Sequence, residues 1–89
     1  MPPLRSAGPT YPQHVPLKVM GHSGPALRAD IDAALARHIP PGTPIEITRR
    51  ESRNGRYTAY TVTFIATSRE QLIAIYTDLR GCDTVRFLL

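Results

Sequence analysis

The chain predicts an α+β fold in the order β-α-β-β-α-β. Three observations carry this: a two-residue apolar period in four separate stretches, a helical apolar period in two more, and an Asn-Gly turn between the second and third strands. Eighty-nine residues leave room for one domain, and most of its 42 % apolar residues must converge on a single core. A deep substrate cavity is not expected at this size, and pattern here speaks to fold more than to chemistry.

Residues 1–13 hold Pro2, Pro3, Pro9 and Pro12 and show no apolar period, so they read as a flexible N-terminal arm before one domain over residues 14–89. Val15, Leu17 and Val19 then alternate with Pro16, Lys18 and Met20, as in a half-buried strand. From Pro25 to His38 the period lengthens, placing Leu27, Ile31, Ala34 and Leu35 on one helical face. Ser23 or Gly24 can cap this helix, Pro25 suits its first turn, and Pro40-Pro41-Gly42 ends it. Ile45 and Ile47 start a second strand. Asn54-Gly55 predicts a two-residue type I′ hairpin, because both residues tolerate the positive φ such a turn demands. In the third strand, Thr58, Tyr60, Val62, Phe64 and Ala66 form the core-facing set. Thr67 with Glu70 reads as a capping box for a second helix with the stripe Leu72, Ile75, Tyr76 and Leu79, closed by a left-handed Gly81. Val85, Phe87 and Leu89 make the inward set of the last strand, which turns Leu88 outward.

Right-handed crossovers join two such halves most economically as a four-stranded antiparallel sheet with both helices on one face, the ferredoxin-like split β-α-β arrangement. The other face is then uncovered. There Met20, Ile65 and Leu88 are expected to lie together as a contact surface, for which a homodimer is one use and scattered, tolerated side chains the bland alternative.

Eleven basic residues, ten of them arginine, against seven acidic ones give a net charge of +4, which favours anionic partners mildly and solubility in any case. Cys82 is alone, so no internal disulfide forms and a reducing compartment is expected. The first twenty residues lack the unbroken apolar stretch of a signal peptide, and no run is long enough to span a bilayer. A cytoplasmic protein is the expectation.

The segments Val15-Pro16-Leu17-Lys18-Val19-Met20-Gly21, Ser52-Arg53-Asn54-Gly55-Arg56-Tyr57, Ala66-Thr67-Ser68-Arg69-Glu70-Gln71-Leu72 and Val85-Arg86-Phe87-Leu88-Leu89 give the chain its resemblance to a known family. Over residues 11–89 it resembles the YbeD-like family, small bacterial proteins without an assigned biochemical activity. The resemblance implies a ferredoxin-like fold similar to ACT domains, the regulatory modules of metabolic enzymes. Fold alone does not fix a ligand.

Two stretches are candidate binding sites. Gly21, His22, Ser23 and Gly24 join the first strand to the first helix, and glycine-bordered amides at a helix start bind anions; the plainer reading is a tight turn. Arg49, Arg50, Arg53 and Arg56 crowd the hairpin, where they suit phosphates or a partner's carboxylates, or simply keep an edge soluble. His14, His22 and His38 have no zinc-ligand spacing, and Asp83 beside Cys82 disfavours a thiolate, so no metal, cofactor or catalytic residue is expected. With Tyr57 as the single aromatic expected on the open face, nucleic-acid stacking is the weaker expectation. The sequence therefore points to a non-catalytic regulatory or adaptor domain that binds a protein partner or a small anionic metabolite. An RNA- or phosphate-binding module using the arginine hairpin is the alternative.

Overall fold

The computed structural model of the chain describes residues 10–89. Its elements are β1 (Gln13–His22), α1 (Pro25–His38), β2 (Ile45–Glu51), β3 (Tyr57–Ala66), α2 (Arg69–Arg80) and β4 (Val85–Leu88). The four strands form one sheet in the order β2-β3-β1-β4, every neighbouring pair antiparallel. Alternation along β1 and β3 sends Val15, Leu17, Val19, Tyr60, Val62, Phe64 and Ala66 into the core with Leu27, Ile31, Ala34 and Leu35 of α1 and Ile75 and Leu79 of α2. Among the described residues one sheet face is thus covered by both helices and the other is bare, which is the ferredoxin-like arrangement the sequence predicts.

The folded body starts earlier than the period suggests. Gln13 already pairs with Ala66, and Tyr11 packs half-buried against the core. Residues 1–9 of the expected arm lie outside the described residues.

Local chemistry departs from expectation in four places. The N-cap of α2 is Ser68, not Thr67: the Ser68 hydroxyl accepts from the Gln71 amide at 3.0 Å, while the Gln71 side-chain oxygen accepts from the Thr67 amide at 2.8 Å. Gly81 closes α2 in right-handed conformation, its amide shared among the carbonyls of Thr77, Asp78 and Leu79. The hairpin is longer than two residues, because Ser52 donates to the Tyr57 carbonyl at 2.8 Å and Gly55 to the Ser52 carbonyl at 2.9 Å. Only Gly55 has positive φ there (73°), so the turn is not type I′, and Asn54 acts instead through its side chain, accepting from the Arg56 amide at 3.0 Å.

The fourth departure reorients β4. A bulge places Val85 opposite Gly21, Phe87 opposite Met20 and Leu88 opposite Val19, with Arg86 as the extra residue. Since neighbours in a strand face opposite ways, the one-residue slip exchanges the faces: Leu88 packs against the core and Phe87 projects from the bare face, 65 % exposed. Beyond the bulge Lys18 and Leu89 exchange both backbone hydrogen bonds, at 3.1 and 2.9 Å. Pro16 lies further along β1, two residues before Lys18.

Candidate functional site

On the helix side, a groove of about 610 Å³ lies between the first two turns of α1 and the β2-β3 pair. Two arginines flank it. Arg28 of α1 sits 5.8 Å from the Tyr60 ring centroid and donates to Asp32 at 2.9 Å, while Arg49 of β2 pairs with Glu51. Gly24, at φ 136°, is the N-cap of α1 with Pro25 next to it; no side chain caps this terminus and no acidic residue stands in its first turn. No carboxylate of the helix's own first turn therefore offsets its positive end at the mouth of the groove.

The loop Gly21–Gly24 does not converge on this groove. Gly21 is buried, with the Thr84 carbonyl against it; His22 turns to the bare face; and the Ser23 hydroxyl shares a 2.7 Å hydrogen bond with that of Thr58 beneath the groove. Gly24 alone of the four lines it. The arginines divide as well: Arg49 pairs opposite Tyr60 on the helix side, Arg50 opposite Ala59 on the bare side, and Arg53 and Arg56 are exposed around the turn. Adjacent strand residues cannot share a face, so four nearby arginines do not make one patch.

The expected contact surface of Met20, Ile65 and Leu88 does not form. Leu88 faces the core, and Met20 and Ile65, 37 % and 38 % exposed, pair at opposite ends of β1, with Ala59 and His14. Six residues of strand put them roughly 20 Å apart. In their place a cluster gathers at the Met20 end, around a shallow pocket of about 430 Å³ lined by Met20, His22, Tyr57, Arg86 and Phe87. The His22 and Tyr57 rings stack at 5.0 Å with a 29° interplanar angle, and Arg86 Nη2 donates to His22 Nε2 at 3.1 Å.

A further polar cluster links the helix ends. Asp78 Oδ2 accepts from Arg37 Nε at 2.9 Å and lies 2.6 Å from His38 Nε2, and the two hydrogen bonds, Arg37's first, hold its carboxyl below the usual range. His38 thus meets a carboxylate of α2 as well as the end of its own helix. The Cys82 thiol is pushed up, by burial first and Asp30 next, with Asp83 contributing least. Among the described residues no three His, Cys, Asp or Glu side chains come together as a metal site, and no helix is long and apolar enough to cross a membrane.

The family described as "Protein of unknown function (DUF493)" matches residues 8–89. The chain belongs to that family. A UPF0250 protein of Leptothrix cholodnii is 41 % identical over 80 residues, covering 89 % of this chain and 87 % of its own. This DUF493 chain also superimposes on solved structures of low sequence identity. A protein from H. pylori solved in solution matches with a TM-score of 0.67 at 17 % identity, covering 100 % of this chain and 96 % of that one. The ACT domain from GTP pyrophosphokinase of Chlorobium tepidum matches with 0.64 at 13 %, covering 86 % and 83 %. The resemblance to small bacterial proteins of unknown function and the ACT-like, ferredoxin-like fold it implied are both borne out.

Proposed function

We propose that this DUF493 protein is a non-catalytic regulatory domain of the cytoplasm that binds a small anionic metabolite and passes its occupancy to a protein partner. The observation that carries this reading is the groove at the start of α1. Two guanidinium groups there stand beside an uncapped helix terminus, and each is held by a carboxylate, Asp32 or Glu51. Two guanidiniums and two carboxylates side by side suit a ligand bearing a carboxylate or phosphate, alone or with an ammonium group, through forked hydrogen bonds. Likeness to an ACT domain supports the regulatory role. The carboxylates that line the groove are each engaged by a guanidinium and the Thr58 hydroxyl by that of Ser23, which supports binding over turnover.

The test is a thermal-shift and calorimetric screen of small carboxylates, amino acids and phosphate esters. A compound that raises the midpoint of the wild type and not of an Arg28→Ala, Arg49→Ala double variant supports the reading. A panel that leaves the wild type unmoved, or a shift that survives in the double variant, overturns it.

A further inference from the structure

The bare sheet face presents rings and cations together, on the side away from the groove, and we infer that its Met20 end is a platform for single-stranded RNA. Phe87 is 65 % exposed because the bulge turns it away from the core, and it lies beside the stacked His22 and Tyr57. Three flat rings at one end of one face are what unpaired bases stack on, and stacking accepts any base because each has a π-face.

Charge on this face completes the argument. Arg86 is held at the His22 ring edge, and Arg50 lines a neighbouring hollow with Met20 and Tyr57. Lys18 lies on the same face one step along β1, and Arg53 and Arg56 are exposed on the adjoining turn. Glu51 borders that hollow but is paired with Arg49, and Glu46 lies opposite Thr63, toward the far end of the sheet. Cations bordering the rings suit a phosphate backbone running past the bases. Unpaired bases are offered mainly by RNA loops and ends, and a paired duplex hides its π-faces, so the occupant is RNA and single-stranded.

Fluorescence anisotropy of the whole chain with a labelled single-stranded RNA of about 12 nucleotides, its duplex and its DNA counterpart, at about 50 mM salt, tests this. The single strand is expected to bind at least about tenfold more tightly than the duplex, and Phe87→Ala to weaken it about tenfold with an unchanged far-ultraviolet spectrum. Phe87→Tyr, which keeps a ring, retains binding. So does Ile73→Ala, which removes an exposed apolar side chain from α2. Arg50→Ala reduces the slope of log affinity against log salt by about 0.7. Absence of binding at low salt, equal affinity for duplex, full binding by Phe87→Ala, or preference for the DNA strand each overturns the assignment. A wild-type dimer that Phe87→Ala disperses, with no RNA bound, gives the face to a second copy of this chain and likewise overturns it.

Discussion

A methyl group at position 21 would lie 1.9 Å from the Thr84 carbonyl oxygen, and the obstacle is backbone. Gly21→Ala therefore forces β1 and the start of β4 apart, with an expected loss of about 1–3 kcal/mol measurable by urea denaturation. The sequence places Gly21 in a glycine-rich loop. What it hides is that a second strand crosses close by, a non-local fact no local pattern carries. Asp78 is the other residue whose meaning is non-local, since Arg37 and His38 approach it from α1. Its carboxyl is held low in the folded protein, so the stabilisation it brings is present above the ordinary carboxylate range and is lost as pH falls through its folded value. Asp78→Asn is expected to flatten that acidic limb of the stability curve and to leave the wild type more stable near neutral pH. Equal acid sensitivity in the two chains, followed by thermal unfolding from about pH 6 to pH 2, would contradict the linkage.

At the scale of elements, helix faces and central strands are plain in the sequence because their periods run long enough to be unambiguous. The ends are not. Thr67 with Glu70 and Ser68 with Gln71 are two capping boxes one residue apart, and composition does not choose between them. Ser68→Ala is expected to cost about 1 kcal/mol in chemical denaturation and Thr67→Ala distinctly less, the reverse of what a Thr67 cap requires. Strand β4 is harder still. Phe87, Leu88 and Leu89 are three apolar residues in a row, so alternation gives no direction, and the bulge that decides it depends on pairing with β1. That slip concealed the ring cluster of the bare face. In the hairpin, Asn54-Gly55 marked the turn correctly but not its type, since the Asn54 side chain, bonded to the Arg56 amide, spares the backbone a second positive φ.

For the molecule as a whole, the sheet order and core follow from the six periods and the preference for right-handed crossovers, whereas the domain boundary depends on Tyr11 and Gln13, single contacts that make no period. A chain beginning at His14 is expected to melt about 4 °C or more below one beginning at Thr10, which keeps both contacts; equal midpoints by calorimetry would return residues 10–13 to the arm. The sheet has two outer strands, and β2 carries Glu46, Arg49, Arg50 and Glu51, charges that discourage another chain from joining its edge. The other outer strand, β4, is only four residues long, so among the described residues the part of β1 beyond it is an edge as well, and this edge is protected differently. Because Lys18 directs its amide and carbonyl outward to Leu89, Pro16, two residues earlier, directs its own backbone to the same side, and it has no proton to give. Any further strand, from this chain or a stranger, that reaches Pro16 meets a carbonyl without its companion donor, and fibril-like growth along this edge stops at that residue.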